Sequence, residues 1–235
     1  MARGLEEKLG LIVMKNCEEQ GKKIEETIKK KRNTNEDYII PISQDRFNNG
    51  EGKVMINATV RDKDLYILSD IGNHSITYDM FGYKNHMGPD EHYQDIKRVI
   101  SAARGQAERI TVVMPLLYES RQHRRKGRES LDCALALQEL QNLGVKTIVT
   151  FDVHDPNIQN AVPTNMSFES FYPTNEILKS FIKNEDFRVG FRSGQEKARN
   201  LGLYMQKYCG CIFSEEERYE KQIKKSIEDS KNYVL

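Results

Sequence analysis

The 235-residue chain has no long apolar run, and no stretch approaches the roughly 20 residues of a membrane-spanning helix. Leu9 to Met14 is too short for the apolar part of a signal peptide and sits between charges, so no targeting segment stands out. The expected setting is soluble and cytoplasmic. An excess of one charge sign is also missing. Lys and Arg (36) nearly balance Asp and Glu (35), giving a formal charge of +1. That argues against a protein held to nucleic acid by bulk charge and leaves only a local basic patch open. Cysteine is scarce: four residues without repeating spacing give no disulfide framework and point to a reduced compartment. Cys209 and Cys211 form a C-x-C pair, but no second pair or nearby histidine completes a zinc site, so they read as ordinary thiols. Walker loop, G-x-G-x-x-G and G-x-S-x-G are all absent, so any nucleotide must be held by another arrangement.

What is present reads as alternating elements in a chain long enough for one large core, or one domain and part of another. Residues 1–32 read as an amphipathic helix, with Leu5, Leu9, Ile12, Val13, Cys17, Ile24 and Ile28 at roughly helical spacing. Its KKIEETIKKKR end is a solvated face. Residues 33–52 read as loop, with NNGEG as a turn, and VMINATV (54–60) alternates as a half-buried strand does. DLYILSD (64–70), ERITVVMP (108–115) and VKTIVTF (145–151) read as strands. Between them lie helices over 92–104 and 130–144, the second with Ser130 as N-cap and Gly144 as its stop. Strands alternating with helices predict an α/β fold: βαβ units in a parallel sheet with helices on both faces.

Ligands of such sheets bind at the carboxyl ends of strands. Three segments leave those ends, and the first, after residue 68, is about twenty residues long, well beyond an ordinary connection. The second holds RQHRRKGR (121–128), five cations in eight residues ahead of a helix start. Guanidinium groups bind phosphate oxygens in bidentate fashion and a helix N-terminus adds its positive end, so Arg124, Arg125 and Lys126 suit a polyphosphate; a solvated loop or an RNA patch is the alternative. The third, DVHDP, offers one imidazole and two carboxylates in Asp152, His154 and Asp155. These could hold a divalent ion, act as a general base, or bond the neighbouring turn.

FNNGE, then VMPLLYESRQHRRKGRESLDCALALQELQNLGVKTIVTFDVHDPNIQNAVP, resembles the ribose-phosphate diphosphokinase (PRPP synthetase) family, closest to a divergent bacterial branch, over residues 40 to 185. The resemblance implies phosphoribosyltransferase-like α/β domains assembled into homo-oligomers. It also implies transfer of the pyrophosphoryl group of Mg-ATP to ribose 5-phosphate, giving PRPP and AMP for nucleotide biosynthesis. Carried over, Arg121 and Gln122 contact ATP, and His154 is associated with Mg²⁺. Phe47, Asn49 and Glu51 reach the adenine of ATP held by a neighbouring subunit. Asp152 and Asp155 then lie where magnesium and phosphates meet. Asn49 and His123 both stand where aspartate is usual.

Past residue 185 the resemblance stops. VGFRSG (189–194) puts Arg192 where a metal-binding carboxylate is expected, SEEERYEK (214–221) replaces a basic loop, and no ribose-phosphate loop occurs. The expected organisation is an N-terminal helix over 1–35, an α/β domain over 36–165 and a remnant of a C-terminal domain over 166–235. The chain is expected to be truncated, through an altered reading frame after about residue 186. Two functions are therefore in view: a catalyst of the PRPP synthetase type, or a non-catalytic module that binds nucleotide or joins full-length subunits. The first is expected to be inactive alone.

Overall fold

The computed structural model describes residues 8–103 and 105–183, with side chains described to residue 180. Leu5, Cys209, Cys211 and the 189–194 and 214–221 segments lie outside the described residues. The chain divides into two compact units, 1–173 and 174–235. The described part of the second is helix α4 (Thr174–Lys183), which carries a Lys179–Glu176 ion pair of 2.6 Å. No helix among the described residues is long and apolar enough to cross a membrane.

The first unit is built on five parallel strands, β1 (Leu9–Val13), β4 (Asp64–Leu68), β7 (Arg109–Val113), β8 (Thr147–Phe151) and β9 (Ser167–Phe171), side by side in that order. Contiguous apolar, largely β-branched stretches such as RITVV suit a parallel sheet buried on both sides. Alternate residues divide between the faces. Leu65, Ile67, Ile110, Val112 and Ile148 meet α2 (Pro89–Ala103) and α3 (Asp132–Asn142), whereas Leu11, Val13 and Leu68 meet the side carrying Ile28 of α1 (Glu18–Arg32) and Cys17, which precedes that helix. The expected α/β sheet with helices on both faces is therefore present. Helix α2 buries Tyr93, Ile96, Val99, Ile100 and Ala103, a helical spacing, and carries Asp90 and Glu91 in its first turn, where carboxylates favour the dipole.

Two antiparallel hairpins complete the unit. One pairs β2 (Ile42–Arg46) with β3 (Gly52–Ile56) across the NNGEG turn; the other pairs β5 (Thr77–Met80) with β6 (Tyr83–His86) inside the long connection after β4.

Three sequence expectations need correction. Residues 9–13 are a strand, not the start of a helix, and the helix proper begins at Glu18. LGLIV places five apolar or small residues in a row, so the helical spacing is satisfied by accident, while pairing with β4 from Leu9↔Asp64 to Val13↔Leu68 decides the matter. Gly21 lets α1 lie close on β1, since a Cβ there would collide with the side chain of Val13. Second, the expected loop 33–52 contains β2, whose ISQDR sequence carries too little apolar alternation to show. Third, Ser130 does not cap α3; Leu131 holds that position without a side-chain bond, and the Ser130 hydroxyl donates to Asp132 Oδ2 at 2.5 Å. Gly144 does end the helix, at φ +96°.

Outside β1 the chain returns alongside it. Leu11 N donates to Tyr38 O (2.8 Å) and Ile40 N to Leu11 O (2.7 Å), making a single parallel bridge between Leu11 and Ile39. Glu25 of α1 secures this segment: its Oε1 accepts the Tyr38 and Ile39 N–H groups at 2.7 and 2.9 Å.

Candidate functional site

Because the five strands run the same way, the segments leaving β4, β7 and β8 share one edge of the sheet, as expected. The β7 exit is anchored first. Leu117 is buried, and the Tyr118 ring stacks on Tyr93 at 4.1 Å while its hydroxyl donates to Asp90 at 2.7 Å. Gln122 then closes the basic loop upon itself: its Nε2 donates to Ser130 O at 2.7 Å, and its carbonyl accepts Cys133 N at 3.4 Å. The side chain of Gln122 thus shapes the loop. Arg121, Arg124, Arg125, Lys126 and Arg128 are exposed, and among the described residues none of their side chains forms an ion pair, while the backbone N–H of Lys126 donates to Glu129 Oε2 at 3.3 Å. Helix α3, which follows, has Asp132 in its first turn, so its positive end already faces one anion.

The β8 exit comes beside this loop. Asp155 caps the 3₁₀ helix Pro156–Ala161, its Oδ1 accepting Asn157 N (2.8 Å) and Asn157 Nδ2 (2.9 Å). The Asn157 N–H, with help from nearby His123 and Arg124, holds this carboxyl below the usual aspartate range. Asp155 Oδ2 lies 2.9 Å from His123 Nε2, off the line of a hydrogen bond, and the His123 ring centroid is 5.4 Å from that of the exposed His154. His123, which stands where the family resemblance has aspartate, is therefore what joins the two segments.

Asp152, His154 and Asp155 do not converge into one ligand set. Asp152 takes the left-handed conformation (φ +47°) and its N–H donates to Phe171 O of β9. Among the described residues no three His, Cys, Asp or Glu side chains are grouped so as to hold a metal ion by themselves.

Phe47, Asn49 and Glu51 form the tip of the β2–β3 hairpin. Phe47 N donates to Glu51 O (2.8 Å), Asn49 Oδ1 accepts Glu51 N (3.1 Å), and Asn49 Nδ2 donates to Glu51 Oε2 (2.9 Å). The Phe47 side chain is 55% exposed. Outside itself the tip bonds the neighbouring hairpin, Phe81 N donating to Asn48 O at 2.9 Å, and Gly50 (φ +89°) sits against Met80.

Sequence reading missed a second polar centre. Asp95, buried, accepts from Arg46 at 2.7 Å and Arg98 at 2.6 Å, and beside it a cavity of about 330 Å³ is lined by Lys15, Arg46, Tyr78, Asp79 and His92. The charges of QDRF and YQDIKR look solvated in sequence, and only the hairpin folding onto α2 brings them together.

The fold and its edge define a class first: a parallel α/β domain with an unpaired basic loop where such sheets bind anions. The narrower assignment comes from residues 9–144, more than half the chain, which match the model of the N-terminal domain of ribose phosphate pyrophosphokinase; the chain belongs to that family. It is 30% identical to ribose-phosphate pyrophosphokinase B of Dictyostelium discoideum over 141 residues, 60% of this chain and 38% of that protein. It is 33% identical to ribose-phosphate pyrophosphokinase 1 of Schizosaccharomyces pombe over 120 residues, 50% of this chain and 26% of that protein. The chain thus spans well under half the length of the curated relatives it matches. The crystal structure of phosphoribosylpyrophosphate synthetase from Mycobacterium smegmatis shares the fold, with TM-score 0.57 and 21% identity over 74% of this chain and 51% of that one.

Residues 169–217 match a different model, epoxyqueuosine reductase QueH. The reading-frame change expected after about residue 186 lies outside the described residues.

Proposed function

We propose that this chain is the ATP-facing part of a ribose-phosphate diphosphokinase. The observation that carries the reading is the loop 121–128, whose five exposed cations form no side-chain ion pair among the described residues and stand at the carboxyl edge of a parallel sheet. Arg121, Arg124, Arg125 and Lys126 would bind the polyphosphate of ATP, and Gln122 would hold the loop in shape. Phosphoryl transfer depends on positioning and on charge stabilisation, both of which such a loop supplies. Phe47, at the tip of an exposed hairpin, would meet the adenine of a nucleotide bound by another copy, which makes a homo-oligomer or an assembly with full-length subunits part of the proposal.

Magnesium would enter with the nucleotide. Mg²⁺ keeps waters and phosphate oxygens and takes one or two protein ligands, which fits an edge offering His154 and one oxygen of Asp155 but no full cage. When bound, it would neutralise charge on the transferring phosphate. Ribose 5-phosphate is the proposed acceptor, but these 235 residues hold no ribose-phosphate loop, so they would not bind the sugar by themselves.

The test is AMP formation from Mg-ATP by the purified chain, with and without ribose 5-phosphate, beside direct titration of ATP. ATP binding without sugar-dependent AMP is the expected result. Sugar-dependent AMP from the chain alone would overturn the need for a partner, and no ATP binding at all would overturn the proposal. Capture of a full-length subunit without nucleotide binding would favour the association module.

A further inference from the structure

We propose that His123 is a positioning residue for polyphosphate: through its ion pair with Asp155 it holds the basic loop 121–128 in the shape that takes phosphate. The proposal rests on reading that loop as the place where ATP puts its phosphates. Five exposed cations in eight residues repel one another, so their charge does not give the loop a single shape. Gln122 ties the loop to its own far end at Ser130 and to Cys133 in the first turn of α3. His123 supplies a tie to a different segment of the edge.

The other end of that tie is fixed independently. Asp155 Oδ1 accepts from Asn157 N and Nδ2 at 2.8 and 2.9 Å, which seats the carboxylate at the start of the 3₁₀ helix. Its Oδ2 is left facing His123 Nε2 at 2.9 Å. The His123 side chain is 9% exposed, so the pair is screened less than one at the surface. Neither ring nitrogen is hydrogen-bonded, so the attraction is one of charge. Both nitrogens are also buried, which keeps the ring from touching a ligand itself. His123 acts through the cations on either side of it. A ligand that meets a loop already fixed in place loses less freedom on binding.

This also accounts for the residue type. Aspartate, which the family resemblance has at this position, would set a second carboxylate against Asp155 and push the loop off the β8 exit. His123 and Asp155 are a matched pair, each suited to the other's charge.

The test is titration of Mg-ATP, and of inorganic triphosphate in EDTA, into the full chain and its variants, with urea unfolding followed beside it. His123→Gln should bind both ligands roughly tenfold more weakly, within the range of coupling between residues in contact. His123→Asp should lose more. Adding Asp155→Asn to His123→Asp should recover most of that loss, because the amide can donate to the new carboxylate while its oxygen keeps the bonds from Asn157. A side chain that merely fills space would give no such recovery. Should the variants fold poorly, the nuclear Overhauser contact between the His123 and His154 rings, 5.4 Å apart, must persist in the unsubstituted protein saturated with ATP. Loss of that contact, no recovery in the double variant, or a loss of affinity for ATP with triphosphate unaffected would each overturn the role. Binding of Mg-ATP without any binding of triphosphate would overturn it too, since the loop would then not be what holds phosphate. Equal Mg-ATP affinity in the parent and in His123→Gln would overturn this inference and leave the proposed function standing. A parent chain that binds neither ligand would remove both.

Discussion

Arg46 and Arg98 close on the buried carboxylate of Asp95 at 2.7 and 2.6 Å, with Gln44 Nε2 adding a third contact at 3.2 Å. Arg121, Arg124, Arg125, Lys126 and Arg128, by contrast, crowd one exposed loop with no side-chain ion pair among the described residues. A cation in the interior has to be matched, because an unpaired buried charge is costly. A cluster of like charges at the surface repels itself, and neighbouring Glu or Asp would relieve it at little cost. The difference separates arginine that builds the molecule from arginine kept for an anion that arrives from outside.

Replacing Asp95 by alanine is the strongest way to break that comparison. It would strand Arg46 and Arg98 and cost about 3–5 kcal/mol, read from urea unfolding. A shift no larger than that of a surface substitution would mean the network is incidental. Next, Arg124→Ala, Arg125→Ala and Lys126→Ala combined should leave unfolding within about 0.5 kcal/mol of the parent. The same variant should weaken ATP binding at least tenfold and flatten its dependence on salt. An unchanged ATP affinity would erase the contrast between the two arginine groups.

A smaller effect comes from the buried thiols. Burial pushes Cys17 up to about 11 and Cys133 up to about 12. In the unfolded chain both titrate near 9, so above that pH the folded state holds more protons than the unfolded state. Their contribution is complete below pH 9 and is lost as pH rises through 11 and 12. Cys133→Ala should therefore shrink the fall in unfolding midpoint between pH 8.5 and about 10.5; an identical fall in the variant would remove Cys133 as a cause. Smallest of all, Lys23→Ala breaks an exposed pair with Glu19 and should not move the thermal midpoint measurably, whereas a clear loss would show that surface pairs matter here more than their setting suggests.

How far the sequence could be read follows from where each element lies. Strands β4, β7 and β8 and helices α2 and α3 were legible because each is buried on a face set by its own periodicity. LGLIV was not, since a short contiguous apolar run satisfies helix and strand alike and only its partner strand decides. ISQDR was hidden for the opposite reason: its residues are half-exposed, and their strand character comes from the antiparallel register Ile42↔Ile56 to Arg46↔Gly52. Of the site, the basic loop and the β8 exit were visible as local composition. Their joining through His123 was not, because it depends on the distance between side chains 32 positions apart. Asp152 misled for a local reason, as residues close in sequence were expected to act together and a left-handed turn bonded to β9 separates them.

The single bridge between Leu11 and Ile39 bears on how molecules of this protein can meet. An unguarded edge strand offers a row of free main-chain donors and acceptors to any passing strand, the usual route to aggregation. At β1 the Leu11 N–H and carbonyl are already taken by Tyr38 and Ile40, and Glu25 holds that guard segment in place. A foreign strand would have to peel residues 38–40 away before it could add to the sheet there.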